Sequence, residues 1–171
     1  RHAGAGNLWI GTEGGGLNMM RDGRFSSLSP QEGGIDPYVR SIYEDQEGSL
    51  WIGTFTGGLY RMRDAVFSTI TPADGLAGSF VRSILRAGDG SLWVATYGDG
   101  ITRLHDRSAT LFSVASGLPS NLALSVIQDH SGRVWATTVA HVTCIARRSR
   151  SCGITTESFR RMYSIWPRCL A

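Results

Sequence analysis

The chain has 171 residues and a formal net charge of +3, with 42% hydrophobic and 18% charged residues. The charge is uneven: residues 1–146 hold 11 Arg against 13 Asp and Glu, and residues 147–171 hold 6 Arg against one Glu. A near-neutral body has no basic face for nucleic acid. No run approaches the roughly 20 apolar residues of a membrane span, so any link to a membrane is expected only through segments outside this sequence.

One heptapeptide recurs along the chain: GNLWIGT at 6–12, GSLWIGT at 48–54, GSLWVAT at 90–96 and GRVWATT at 132–138. The tryptophans Trp9, Trp51, Trp93 and Trp135 are each 42 residues apart, and the flanking apolar positions keep that step. A fixed period of roughly 40–45 residues belongs to a solenoid, a propeller or a helical array. The local pattern decides among them. In chain order, residues 7–28 hold three short apolar runs, 39–70 and 81–114 hold four each, and 123–143 hold three. The runs are rich in Val, Ile, Thr and aromatics, and Gly, Asp or Pro separates them, which is the pattern of strands and turns. The expected fold is all-β: a partial β-propeller with 42-residue blades of four antiparallel strands, two complete (39–70, 81–114) and two partial (7–28, 123–143). A closed propeller needs roughly 4–8 blades. Residues 1–143 therefore read as a fragment of a larger propeller, with the rest of that propeller as its first partner.

Within LWIGT, alternation puts Trp51 and Gly53 on one face and Leu50, Ile52 and Thr54 on the other. Both faces are apolar, as expected of a blade covered on both sides. The four tryptophans are expected to be core, and Gly53 either leaves room for Trp51 or admits a neighbouring backbone.

Residues 144–171 break the repeat. Phe159, Met162, Tyr163 and Trp166 are spaced for a short amphipathic helix over 157–166, and the alternative is a disordered basic tail. Cys144, Cys152 and Cys169 fall outside the recognisable repeats at spacings that match no metal pattern. Neither a metal nor a cofactor is expected. His2, His105, His130 and His141 form no metal pair and read as surface turn residues. Asp45 and Asp129 precede turn glycines at equivalent positions and could cap turns or, with Glu44, hold a cation. Gly14-Gly15-Gly16 reads as a repeat turn, since no strand–loop–helix context makes it a phosphate loop.

The series from Gly48 to Leu59, then Phe67, Gly75-Leu76 and Val81–Ile84, with Glu44-Asp45 before Gly48 and GLPSN at 117–121, resembles the two-component regulator propeller repeat. The resemblance covers residues 4–143 and fades in the fourth repeat, where Ala136-Thr-Thr replaces Ile-Gly-Thr. It implies the sensory propeller of a bacterial membrane receptor, on the periplasmic or extracytoplasmic side. Such propellers often respond to saccharides and signal through a histidine kinase or diguanylate cyclase module. No kinase or cyclase motif occurs in this sequence, so no catalysis is assigned to it.

The residue after each repeated Thr varies within the chain: Glu13, Phe55, Tyr97, Val139. The resemblance places it in the loop between second and third strands, on the face that also carries the blade-joining loops 29–38, 71–80 and 113–122. Loops at one end of a rigid scaffold are where binding sites are usually built. Candidate ligand-binding residues are Glu13, Phe55 and Tyr97, with Tyr38, Phe80 and Asn121 from the joining loops. The aromatics could stack on sugar rings or could simply pack the loops. Three functions stay open: a ligand sensor; a non-catalytic scaffold for protein contact or receptor dimerisation; and an enzyme, which would need a convergent acid/base set that is not found.

Overall fold

The structure, a computed structural model, describes residues 2–3, 7–28, 35–64, 66–106 and 108–146. Its strands form four antiparallel sheets. The first holds β1 (His2–Ala3), β2 (Asn7–Gly11), β3 (Leu17–Arg21) and β4 (Arg24–Leu28). The second holds β5 (Val39–Glu44), β6 (Leu50–Thr54), β7 (Leu59–Arg63) and β8 (Val66–Ile70). The third holds β9 (Val81–Arg86), β10 (Leu92–Thr96), β11 (Gly100–His105) and β12 (Ser108–Phe112). The fourth holds β13 (Ala123–Gln128), β14 (Val134–Thr138) and β15 (Val142–Ala146). Strands follow one another in sequence order within every sheet, so each sheet is a meander and a blade. The leading strands lie side by side: β5 packs on β9 and β9 on β13, and Ser83 Oγ accepts the Val126 amide at 3.4 Å. This is a partial β-propeller.

The repeated heptapeptide builds the layers between blades. Leu50 and Ile52 pack with Leu17, Ile35 and Val39 between the first and second blades. Trp51, on the opposite face, packs with Leu59, Val81, Leu92 and Val94 toward the third. Trp93 and Ala95 pack with Val126, Val134 and Ala136 toward the fourth. β6 and β10 are buried along their whole lengths. Each fully buried Leu, Ile or Val contributes about 1.5–3 kcal/mol. Gly48, Gly90 and Gly132, with φ of 79°, 82° and 82°, close the first hairpin of their blades in a conformation that side chains disfavour.

Three expectations change. His2–Ala3 pairs with Asn7–Leu8, so the first sheet has a fourth, two-residue strand ahead of residue 7. The last blade continues to Ala146, past the expected boundary at 143, because Cys144 and Ile145 are buried at 1% and 0% exposure; Cys144 is thus part of a strand. His105 ends strand β11 rather than lying in a turn. The tail helix read at 157–166, with Cys152, Cys169 and Trp166, lies outside the described residues.

Candidate ligand-binding face

In the second, third and fourth blades a polar pin lies beneath the tryptophan. Asp45 Oδ1 accepts the amides of Glu47 and Ser49, and its Oδ2 accepts the Trp51 indole N–H at 2.9 Å. Asp129 repeats this, taking the amides of Ser131 and Arg133 and the Trp135 indole at 2.9 Å. The third blade has Ala87 in place of this aspartate. There Asp89 takes the Ser91 hydroxyl, and the Ser91 Oγ takes the Trp93 indole at 2.9 Å. An arginine lies over each of these indoles: Arg61 over Trp51 at 5.3 Å, Arg103 over Trp93 at 5.7 Å and Arg133 over Trp135 at 5.1 Å. The turn-capping role read for Asp45 and Asp129 is therefore present, joined by an indole contact that the sequence reading lacked.

These carboxyls titrate low. Burial pushes Asp45 up, but the Trp51 indole, the Ser49 and Glu47 amides and the Arg61 charge outweigh it and hold it below the usual range. Asp89 is also pushed up by burial and held low by Ser91 and Arg103. Asp129 is depressed further by Ser131, Trp135 and Arg133. A carboxyl depressed on folding adds stability that is complete above its unfolded pKa, about 3.9, and is lost as pH falls through the folded value. The thermal midpoint should stay level from neutral pH to about 5 and drop below about 4, with Asp45→Asn and Asp129→Asn flattening the drop. A midpoint that rises on acidification would contradict the pins.

At the other end of the sheets, the repeated Thr holds the loop that carries the variable residue. The hydroxyls of Thr12, Thr54 and Thr96 each donate at 2.9 Å to the carbonyl of Gly16, Gly58 and Gly100, and Thr138 reaches His141 in the same way. The next amide then pairs with the residue entering the blade: Phe55 with the Tyr38 carbonyl at 3.0 Å, Tyr97 with Phe80 at 2.9 Å and Val139 with Leu122 at 3.1 Å. Asp36 fixes both sides in the second blade, accepting the amides of Tyr38 and Thr56 and the Thr56 hydroxyl. Leu76 and Leu118 sink into the core and seat the joining loops.

These constraints line up the rings. Tyr38 and Phe55 are 6.1 Å apart edge-on, Phe55 and Phe80 are 4.2 Å apart, and Phe80 and Tyr97 are 5.4 Å apart. The row crosses from the second blade to the third. Tyr38, Phe55 and Tyr97 keep 42%, 37% and 39% of their surface exposed. Glu13 pairs across the blade boundary with Tyr38 and binds Arg40 at 3.1 Å. Five of the six candidate residues therefore converge. Asn121 serves the scaffold: its Oδ1 accepts the Val114 amide and its carbonyl accepts Gly98 and Gly100.

Two residues of this face escaped the sequence reading. Val39 faces Thr54 and Ser41 faces Gly53, so Arg40 is the extra residue of a β-bulge. Arg82 is its counterpart one repeat on, between Val81 and Ser83. A bulge re-aims a side chain. Arg40 lies over Phe55 at 5.6 Å, and Arg82 over Phe80 and Tyr97 at 5.9 Å each. Their 42-residue spacing, two positions after Tyr38 and Phe80, was the available signal. Among the described residues no group of three His, Cys, Asp or Glu could hold a metal.

The family profile of the two component regulator propeller matches residues 33–56 and 75–98. Residues 33–56 and 75–98 are two-component regulator propeller repeats. No curated protein matches it significantly. Its fold is shared with the extracellular domain of BT3049 from B. thetaiotaomicron, described as a hybrid two component system, at TM-score 0.75 and 23% identity. That match covers 92% of this chain and 22% of the other, so the repeats span about a fifth of that domain. The extracellular domain of BT4673 from the same organism aligns at TM-score 0.73 and 21% identity over 92% and 24% of the two chains. Virginiamycin B lyase from Staphylococcus aureus, an enzyme, aligns at 0.68 and 16% over 91% and 53%. Among the described residues no helix is long and apolar enough to cross a membrane.

Proposed function

We propose that these repeats are part of the extracytoplasmic, periplasmic-side sensory propeller of a bacterial membrane receptor, of the two-component sensor kinase or diguanylate cyclase type. In this reading the chain binds a carbohydrate or similar small ligand on the face of Tyr38, Phe55, Phe80 and Tyr97 and passes the signal to an output module elsewhere in the receptor. The observation that carries the reading is the half-exposed row of rings at repeat positions that packing leaves free to vary. Flat apolar faces suit sugar rings, and polar groups at the rim can fix orientation. The shared repeats and the fold of extracellular two-component domains support it.

In the receptor, Phe55→Ala combined with Tyr97→Ala should leave the protein folded and abolish transcription from its target promoter. Arg63→Ala is the companion, since Arg63 is half exposed and, among the described residues, its ion pairs to Glu47 and Asp64 lie on the surface. Normal signalling by the double variant would defeat the proposal.

The scaffold reading draws on a different surface. Phe25 and Val66, on the outer strands β4 and β8, are each 69% exposed. A receptor that loses dimerisation and response when these two are changed to Ser, while tolerating the double variant at 55 and 97, would favour contact with a protein partner.

A further inference from the structure

The proposed ligand face holds a charged group that ring stacking leaves unused. Arg82 is exposed, lies at 5.9 Å from the centroids of both Phe80 and Tyr97, and pairs with no carboxylate among the described residues. A guanidinium resting on a ring still has the N–H donors along its edge, arranged in a fork that fits two anionic oxygens. The carboxylates nearby are already engaged or turned elsewhere. Glu13 is held by Arg40, and Asp36 accepts two amides and a hydroxyl. Asp99 lies against Gly78 of the joining loop. The bulge that delivers Arg40 and Arg82 recurs in the fourth blade with Leu124, where Leu122 and Val139 replace the rings. Arginines and aromatics thus occur together in the second and third blades and are absent together from the fourth.

We infer that this face selects an anionic saccharide, one carrying a carboxylate or sulfate, with its sugar ring on Phe55 and Tyr97 and its anion on the Arg82 guanidinium. The inference rests on the binding-face reading above and adds the charge of the ligand. Arg40, tied to Glu13, is the weaker contributor, because its cation is already compensated.

The test is binding by the purified full chain, followed by calorimetry, of four probes: trigalacturonate, its methyl ester, neutral galactotriose and 6-sulfated galactotriose. Trigalacturonate should bind at least about ten-fold more tightly than its ester, about 1.4 kcal/mol, and the gap should shrink with added salt. Arg82→Gln should bring the acid to the level of the ester and leave the ester nearly unchanged, with an unaltered melting midpoint. Tighter binding of the sulfated trimer than of trigalacturonate would assign the anion as sulfate; the reverse assigns carboxylate. Equal binding of acid and ester, an Arg82→Gln loss shared equally by both, or silence from every probe would overturn the inference. Binding of neutral galactotriose that depends on Phe55 and Tyr97, without preference for the acid, would overturn the charge assignment alone. Binding of the acid that survives Phe55→Ala with Tyr97→Ala would overturn the face itself.

Discussion

Trp93→Ala should destabilise the chain by about 3–5 kcal/mol, the range for removing a large buried aromatic. Trp93 is 1% exposed, stacks on Phe112 at 5.3 Å and fills the layer between the third and fourth blades. Truncation empties that space and leaves the Ser91 hydroxyl without its indole donor. Trp9 and Trp135 occupy the same register in the first and last sheets but are only partly buried. Their alanine variants should cost distinctly less in urea titrations. Equal losses at all three positions would mean that the tryptophans do not stand in the stack of layers described here.

Gly53→Ala should cost about 1–3 kcal/mol, and Val81→Ala in the same chain should recover part of it. A Cβ on Gly53 would meet Val81 Cγ1 and the Ser41 hydroxyl, both too close for a real contact. The repeat shows how the contact is relieved. Gly11 would meet Val39 in the same way, whereas the third and fourth blades pair Ala95 with Ala123 in one cluster. A small residue in the second strand accompanies Val on the next blade, and Ala accompanies Ala. Adjacent residues that share one space couple by about 0.5–3 kcal/mol. The Gly53→Ala, Val81→Ala pair should therefore lose less stability than the sum of its single variants. A strictly additive result would show that the glycine is kept for some reason other than Val81.

This pair also shows where the sequence was legible. The period, the four-strand blade and the two-faced burial of LWIGT were all readable, because they follow from alternation and spacing alone. Whether Gly53 yields to a side chain or to a backbone was open, since that depends on which atoms of the next blade arrive. The same limit applied at Trp51. Its burial was legible, but the Asp45 carboxylate beneath its indole needed the turn to be built first. At the proposed binding face, the variable position after each Thr led to Phe55 and Tyr97, which the structure sets in one row of rings with Phe80. Arg40 and Arg82 were missed because alternation assigns a residue to a face only while the register holds, and each of them is the unpaired residue of a bulge. The end of the last blade was missed because Cys144 and Ile145 are marked by burial, with no repeat letter to announce them.

The central claim is that the row of rings is where ligand lands, and footprinting tests it without mutation. The purified chain would be oxidised by hydroxyl radicals with and without a mixed oligosaccharide pool of neutral and acidic members. Tyr38, Phe55 and Tyr97 are exposed on the proposed face, and Phe25 is an exposed aromatic on an outer strand. The account predicts that oxidation falls at Tyr38, Phe55 and Tyr97 and stays unchanged at Phe25. Protection of Phe25 with the three ring residues still reactive would contradict it.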